Sequence, residues 1–201
     1  MTLVGVLAVQ GAFSLHERAL QACGVETVQV RRAEQLGSVD AVVLPGGEST
    51  VMSKLLFANN LFDPLQESID GGMPVLGTCA GMILLAQRIL DGTPDQRSFG
   101  AIDIDVRRNF YGRQVDSFEA SIELGVPSSA GVAADDSPLQ AVFIRAPAVD
   151  RVGEGVEVWA SHQQKPVLCR ESNVVVASFH PELLDNDVRV HQLFLDVVHG
   201  A

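Results

Sequence analysis

The sequence lacks the features of several large classes of protein. No apolar run is long enough for a membrane-spanning helix, and residues 1–6 carry neither the basic segment nor the cleavage site of a secretory signal. Lys and Arg number 14 against 25 Asp and Glu, and the resulting net charge of −11 argues against a nucleic-acid partner. We therefore expect a cytoplasmic protein that binds neither membranes nor nucleic acid.

Cysteine is also scarce. The three cysteines, Cys23, Cys79 and Cys169, are widely spaced and form no C-x-x-C pair. Such usage argues against a disulfide framework and against a zinc site, and it suits thiols that stay reduced. We predict no metal site. Repeats and low-complexity tracts are absent as well, so nothing in the sequence divides the chain into separate units.

The chain does contain enough apolar residues for a full hydrophobic core. With 201 residues, of which 47% are hydrophobic, it fits a single domain over residues 1–201. In the first 80 residues, short apolar runs alternate with helical patterns, which predicts βαβ units and a parallel sheet. The predicted strands there are residues 3–9, 25–30, 40–44 and 74–76, and the predicted helices are 14–23, 50–56, 64–70 and 80–90.

The pattern changes in the second half, where strands follow one another with few helices between them. The predicted strands are residues 102–106, 117–122, 140–144, 156–160, 167–170 and 174–178, and a last helix covers 187–198. We expect residues 107–115 and 125–136 to form loops or turns. The sequence therefore predicts one α/β domain whose mostly parallel sheet has an antiparallel extension in the second half.

The segment around Cys79 is the one on which a functional prediction depends. Cys79 lies between the predicted strand 74–76 and the predicted helix 80–90, in the pattern G-x-C-x-G of residues 77–81. This is the cysteine form of a nucleophile elbow. Flanking glycines permit a tight, strained turn, and the helix N-terminus favours a thiolate and offers N–H groups to an oxyanion. The alternative is a buried structural cysteine between two turn glycines.

A cysteine nucleophile needs a base and a group that orients the base. Among the five histidines, His180 follows an apolar strand, at the edge where α/β sheets bind ligands, and Glu182 is near enough to hold its distal nitrogen. The spacing predicts a triad of Cys79, His180 and Glu182, with an ordinary strand-end turn as the alternative. We place His191 and His199 on a solvated face of the last helix.

A glycine-rich turn at residues 45–49 follows a predicted strand and precedes a predicted helix. It lacks the lysine and the spacing of a P-loop, so nucleotide binding is not expected. Two interpretations stay open. The segment is either a simple turn or a cradle whose backbone N–H groups hold an anion or an oxyanion beside Cys79.

Three segments together resemble class I glutamine amidotransferases of the triad type. They are PGGEST at 45–50, GTCAG at 77–81 and FHPE at 179–182. Further segments are similar to the glutaminase subunits of pyridoxal 5′-phosphate synthases: GVLAVQGA at 5–12, RNFYGRQVDSFE at 108–119, FIRAP at 143–147 and HPEL at 180–183. Leu15 departs from the family pattern, in which a glutamate is expected, and Phe110 departs from the usual small residue.

The resemblance implies a flavodoxin-like three-layer sandwich and hydrolysis of L-glutamine to L-glutamate and ammonia through a cysteine thioester. On this basis Cys79 attacks the carboxamide, His180 moves the protons and Glu182 orients His180. The amides of Gly47 and Ala80 would hold the oxyanion. L-Glutamine would be bound at the positions that match the family's substrate site, namely Gly47, Glu48, Ser49, Arg108, Ile144 and Arg145.

The resemblance also implies a partner. Ammonia would pass to the lyase subunit of pyridoxal 5′-phosphate synthase, and this chain would bind no cofactor itself. Three alternatives remain: a glutaminase subunit serving a histidine or anthranilate synthase, another elbow-cysteine hydrolase such as a peptidase, and a non-catalytic scaffold. Segments 108–119 and 143–147 argue against the first, residues 47–49 against the second, and the intact predicted triad against the third.

Overall fold

The computed structural model describes residues 1–108, 110, 117–125, 137–184 and 187–200. Most of the two loops predicted in the second half lies outside these residues. The strands are β1 Leu3–Leu7, β2 Glu26–Val30, β3 Ala41–Leu44, β4 Val75–Thr78, β5 Ala86–Ile89, β6 Ile102–Arg107, β7 Phe118–Ile122, β8 Leu139–Phe143, β9 Ala148–Val152, β10 Glu157–His162, β11 Lys165–Glu171 and β12 Val174–Ala177. The helices are α1 Phe13–Ala22, α2 Ser49–Ala58, α3 Phe62–Asp70, α4 Ala80–Leu85 and α5 Arg189–His199, with 3₁₀ turns at Ala33–Ser38 and Pro181–Leu183.

A seven-stranded sheet forms the centre of the fold. Its strand order is β10-β11-β12-β4-β3-β1-β2. The five strands from β12 to β2 are parallel, and β11 and β10 extend the sheet through antiparallel pairings. The predicted parallel sheet with an antiparallel extension is thereby confirmed. A three-stranded sheet, β5-β6-β9, and the antiparallel pair β7-β8 account for the other strands described.

Helices cover both faces of the large sheet. Because side chains along a strand alternate between faces, β3 contributes Val42 and Leu44 to one apolar core and Ala41 and Val43 to the other. Residues of α2, α3 and α4 complete the first core, and residues of α1 and α5 complete the second. All four residues of β3 are buried, as expected for a parallel strand covered on both faces. This arrangement is the predicted three-layer sandwich.

The helix predicted over residues 80–90 is wrong in its second half. α4 ends at Leu85, and the next four residues form β5, which pairs in parallel with β6. The Leu84 carbonyl accepts a hydrogen bond from the Phe99 amide at 2.7 Å. The Leu85 carbonyl accepts one from the Ala101 amide at 2.8 Å. These carbonyls are engaged by a distant segment, so the tertiary contact overrides the helical spacing of the apolar residues.

Two other elements were not predicted from the sequence. The 3₁₀ turn at Ala33–Ser38 has too few periodic apolar residues to be recognised. β9 carries the polar pair Asp150 and Arg151 in its middle, and the Arg151 Nε donates to Asp105 of β6 at 3.0 Å. A cross-strand ion pair therefore replaces the apolar pairing that marks most strands. Among the residues described, no helix combines the length and apolar character needed to cross a membrane.

Candidate active site

Cys79 lies alone at the junction between β4 and α4. β4 ends at Thr78, and α4 begins at Ala80. The backbone of Cys79 adopts φ 48° and ψ −100°, a combination that is sterically costly for a residue with a side chain. The predicted strained turn is therefore present, and it holds a residue that is only 5% exposed.

The two glycines of this turn are needed for close packing. A Cβ at Gly81 would overlap the backbone carbonyl oxygen of Leu44, at the end of β3. A Cβ at Gly77 would lie 2.6 Å from Leu85 Cδ1 and 2.7 Å from the carbonyl carbon of Gly81. The first turn of α4 thus packs against β3 and β4 at a distance that no larger residue allows at either position.

We expect Gly81→Ala to lower the free energy of unfolding by about 1–3 kcal/mol, because the added methyl group would meet backbone atoms that cannot rotate away. The matched control is Gly37→Ala, since a Cβ at Gly37 has no atom within 4 Å. Chemical denaturation of the two variants and the wild type measures the difference. Equal denaturation midpoints for Gly81→Ala and Gly37→Ala would contradict this packing role.

β12 brings His180 to Cys79. It runs parallel to β4 with Ala177 opposite Thr78, so the two strands end side by side. The Cys79 amide donates to the Ala177 carbonyl at 2.8 Å, and the Cys79 side chain is near enough to the His180 imidazole to raise the pKa of that ring. On the other side of the ring, His180 Nδ1 lies 2.8 Å from Glu182 Oε1. The structure thus brings the three predicted residues into one row.

The charges in this row stabilise one another. Burial by itself lowers the pKa of His180, but hydrogen bonds to Cys79 and Glu182 and the charges on both outweigh it and raise that pKa to about 10. Burial also raises the pKa of Glu182, yet its neighbours His16 and His180 bring it below the usual value. At neutral pH the row therefore holds an imidazolium beside a carboxylate.

A cavity of about 300 Å³ opens beside Cys79. Its walls include most of the residues predicted for the site. They are Gly47, Glu48, Ser49, Cys79, Arg108, Ile144, Arg145 and His180. The other two predicted residues do not line it: Glu182 is buried and contacts the ring of His180, and Ala80 is the buried first residue of α4.

Two further residues of the cavity wall, Gln10 and Ile83, were missed by sequence reasoning. Gln10 follows β1, and the carboxyl ends of parallel strands meet at one edge of a sheet, so its position after a strand was the available signal. Ile144 and Arg145 come from the turn after β8. The Ile144 carbonyl oxygen lies 3.9 Å from Cys79 Sγ, and Arg145 has a positive φ of 46°.

Opposite charges pair in the wall of this cavity. Arg108 Nη2 lies 3.2 Å from Glu48 Oε1, and Arg108 Nη1 donates to Gln96 Oε1 at 2.9 Å. The Glu48 carboxylate also accepts two backbone amides at the start of α2. Burial raises the pKa of Glu48, but these hydrogen bonds and Arg108 hold it below its usual value. Gln96, which donates to Ser49 Oγ at 2.9 Å, was also not predicted.

The glycine-rich turn is fitted against both the histidine and the end of β1. A Cβ at Gly46 would overlap His180 Cε1 and lie 2.9 Å from His180 Nδ1. A Cβ at Gly11, which has a φ of 94°, would overlap the Gly46 carbonyl oxygen. Gln10 Oε1 accepts a hydrogen bond from the Glu48 amide at 3.1 Å. Only glycine at positions 46 and 11 leaves room for this contact between the turn, the residues after β1 and the imidazole.

Two histidines that were not predicted to belong to the site lie directly behind Glu182. His16 Nε2 of α1 is 3.3 Å from Glu182 Oε2, and His16 Nδ1 is 3.0 Å from Nε2 of His191 in α5. The prediction that His191 occupies a solvated face is wrong, because His191 is fully buried. It lies four residues before the buried Leu195, on the face of α5 that packs inward. His199, at the end of the helix, is exposed as predicted.

Comparison with known proteins places this site in a family. The model of the SNO glutamine amidotransferase family matches residues 6–199. The chain belongs to this family. A relative from Mycobacteroides abscessus, named pyridoxal 5′-phosphate synthase subunit PdxT, is 54% identical over 199 residues, which cover 99% of this chain and 98% of the relative. A relative of the same name from Pelotomaculum thermopropionicum is 50% identical over 193 residues, covering 96% and 93%.

The fold agrees with membership of the amidotransferase family. A crystal structure of a glutamine amidotransferase superposes with a TM-score of 0.87 at 42% identity, and 98% of each chain is covered. The resemblance drawn from the sequence motifs is therefore confirmed. In chemical terms, this amidotransferase combines a thiol beside an imidazole with a cavity lined by charges of both signs, an arrangement suited to attack on the carbonyl carbon of a zwitterionic substrate.

Proposed function

We propose that this chain is the glutaminase subunit of a pyridoxal 5′-phosphate synthase, hydrolysing L-glutamine to L-glutamate and ammonia. One observation carries the proposal: the row of Cys79, His180 and Glu182 adjoins a cavity that is also lined by Glu48 and Arg108. Two further findings support it. The chain belongs to an amidotransferase family, and two relatives that are 54% and 50% identical to it are named as synthase subunits.

The reaction begins when Cys79, as a thiolate whose proton is held by His180, forms a bond from Sγ to the carboxamide carbon of glutamine. The carbonyl oxygen takes up the negative charge, and the backbone amides of Gly47 and Ala80 stabilise it. His180 then gives a proton to the departing nitrogen, the C–N bond breaks and ammonia leaves. The glutamyl group remains bound to Cys79 as a thioester.

Water completes the cycle. His180, now neutral, takes a proton from a water molecule whose oxygen attacks the thioester carbon. The C–S bond breaks, glutamate is released and the proton stays on His180, which restores the starting state. Glu182 holds His180 Nδ1 throughout at 2.8 Å, and this leaves Nε2 free to face the reacting atoms.

Substrate recognition rests on the charged groups of the cavity wall. Glutamine carries an α-carboxylate and an α-ammonium group that take no part in the chemistry. Arg108 pairs with the carboxylate and Glu48 with the ammonium group, since both side chains line the cavity and carry the complementary charges. These contacts to the substrate replace the one at 3.2 Å that the two side chains make with each other. Gly47, Ser49, Ile144 and Arg145 line the remaining wall around the substrate.

We expect Arg108→Ala to raise the KM for glutamine by about 10- to 150-fold, the factor for a hydrogen bond to a charged group, with a smaller change in kcat. A contact to the non-reacting end of the substrate is made equally in the ground state and the transition state, so its loss weakens binding. Arg107→Ala is the matched control, because Arg107 pairs instead with Asp150 at 3.0 Å. An unchanged KM in Arg108→Ala would remove Arg108 from the substrate site.

The partner is the lyase subunit of the synthase, which consumes the ammonia. We place the reaction in the cytoplasm, where free thiols persist, and all three cysteines are free. Nothing in this role requires the chain itself to bind pyridoxal 5′-phosphate, because the cofactor is the product of the partner's reaction.

The test supplies the lyase subunit with its sugar phosphates and either glutamine or ammonium, with and without this chain. We expect glutamate to form from glutamine, and the cofactor to form from glutamine only when the chain is present. Ammonium should support the lyase subunit without the chain. A lyase subunit that uses ammonium but gains nothing from the chain plus glutamine would overturn the assignment. Gain by a histidine or anthranilate synthase instead would transfer it to that pathway.

A further inference from the structure

A second row of buried polar groups continues the first one beyond Glu182. Glu182 uses Oε1 for His180, while its Oε2 makes no hydrogen bond of good geometry with the described residues. The atom that faces Oε2 is His16 Nε2, at 3.3 Å, and the same nitrogen lies 3.2 Å from Thr78 Oγ1. Behind it, His16 Nδ1 lies 3.0 Å from His191 Nε2.

The proton positions in this second row follow from its neighbours. If His16 carried its proton on Nδ1, its Nε2 lone pair would face the Glu182 carboxylate. His191 would then accept at Nε2 and bury an N–H at Nδ1, an atom with no hydrogen-bond partner among the described residues. A proton on Nε2 of both rings avoids the repulsion between the His16 lone pair and the carboxylate, and it avoids the buried N–H without a partner. In this arrangement His191 donates to His16, and only a lone pair is left at His191 Nδ1.

We propose that His16 is a positioning residue for the Cys79–His180–Glu182 row. Its Nε2 lies 3.3 Å from Glu182 Oε2 and 3.2 Å from Thr78 Oγ1, and His191 fixes the tautomer that places a proton on this nitrogen, between the two oxygens. The proposal rests on the proposed glutaminase function, since it concerns the same catalytic row. His16 touches neither the cavity nor the nucleophile, so it acts through Glu182.

Burial keeps both outer histidines neutral. It lowers the pKa of His16, and it lowers that of His191 to about 3. His16 therefore acts on Glu182 through a neutral N–H, and the imidazolium of the row is confined to His180. Among the described residues, the titratable groups that act on Glu182 are His180 in its own turn, His16 from α1 and His191 from α5. Arg18 of α1 lines the same small cavity as Glu182.

The consequence is a dependence of activity on pH. Without the N–H of His16, the buried carboxylate loses a stabilising partner, its pKa rises, and it is protonated at a higher pH. A protonated Glu182 no longer stabilises the charged form of His180. We therefore expect the acidic limb of the kcat/KM profile to move upward by about 1–2 pH units, while the KM for glutamine changes little.

The test compares His16→Leu, which removes the donor, with His16→Gln, whose side-chain amide can present an N–H in place of Nε2. His199→Leu serves as the control, because His199 lies on the exposed end of α5. We expect the acidic limb to shift in His16→Leu and to return toward the wild-type position in His16→Gln. A pH profile identical to the wild type in a folded His16→Leu would overturn the proposal.

A second measurement does not depend on the variants folding. In wild-type protein with 15N-labelled histidine, we expect both His16 and His191 at pH 7 to be neutral, with the proton on Nε2. A proton on Nδ1 of His16 would overturn the proposal. Cys79→Ser measured in the same activity assay separates the two hypotheses: turnover that survives Cys79→Ser contradicts the proposed function, whereas the histidine test concerns only His16.

Discussion

We expect Cys79→Ser to lower glutaminase turnover by about 10⁴-fold or more while the chain stays folded. The replacement is nearly isosteric, so the elbow and its close packing against β3 are kept. A serine hydroxyl is a much poorer nucleophile than a thiolate. In addition, Cys79 and Glu182 stabilise the charged form of the His180 imidazole, and a charged imidazole cannot take the proton from a serine hydroxyl. Glutamate release at saturating glutamine is the measurement.

The other two cysteines provide the controls for this prediction. Cys23 is half-buried and Cys169 fully buried, and burial raises the pKa of both thiols, that of Cys169 to about 12. A glutamine analogue with an electrophile at the amide carbon should therefore label Cys79 alone, as judged by peptide mass mapping. Cys23→Ser should retain turnover. Labelling of Cys23, or appreciable turnover by Cys79→Ser, would remove Cys79 as the nucleophile.

His180→Ala should reduce turnover about as severely as loss of the nucleophile, and Glu182→Gln should cost less by a factor of about 10–100. The imidazole transfers a proton in both halves of the reaction, whereas the carboxylate orients the ring and stabilises its charged form. Glutamine at position 182 keeps a side-chain oxygen at a similar place and can still accept from His180 Nδ1, so the geometry of the row survives.

Turnover of these variants should be measured at saturating glutamine, so that changes in binding do not enter. His199→Ala is the matched histidine control, since its exposed ring lies outside the row. In Glu182→Gln the negative charge that raises the pKa of His180 is lost, so that pKa falls and the basic limb of the pH profile moves to lower pH. Wild-type turnover and an unshifted profile in Glu182→Gln would make Glu182 a turn residue only.

The placement of Cys79, His180 and Glu182 in one row could be predicted because its first two members each follow a parallel strand. Cys79 follows β4 and His180 follows β12, and the carboxyl ends of neighbouring parallel strands meet at one sheet edge. A glycine-flanked cysteine and a histidine after an apolar run were therefore enough to predict that these two residues lie side by side. Glu182 then followed from its separation from the histidine, and its 2.8 Å contact is within the same turn.

The histidines behind Glu182 were missed because their role depends on how helices pack. His16 and Leu20 are four residues apart and are the buried residues of α1. His191 and Leu195 have the same spacing on α5. This i, i+4 pattern was the signal that placed both rings on inward faces. A histidine counts as polar in such a pattern, so the spacing of apolar residues alone did not assign either ring to an inward face.

The end of α4 at Leu85 could not be predicted from the local sequence, for a different reason. Its apolar spacing continues past Leu85, and only hydrogen bonds from Phe99 and Ala101 decide that the chain turns into β5. Gln96 was missed likewise, because its contacts to Ser49 and Arg108 join segments far apart in sequence. Contacts of this kind are set by the tertiary fold and leave no periodic trace.

The position of β12 between β4 and β11 determines how late in translation the central sheet and the site at its edge can form. The chain makes β1 to β4 first, yet the edge of β4 stays open until its neighbour arrives, and the flanking residues Gly72 and Asn173 are 101 residues apart. At 5–20 residues per second, a ribosome needs about 5–20 s to cover that interval.

During that interval the nascent chain presents an unpaired strand edge, which is a hazard for association with other chains. It also carries Cys79 without His180, which follows β12. A ribosome-bound fragment ending before β12 should therefore be unable to hydrolyse glutamine, and folding of the central sheet must wait for long-range pairing, which is slow. The amidotransferase thus becomes active only once almost the whole chain has been translated, and protection by chaperones matters most before then.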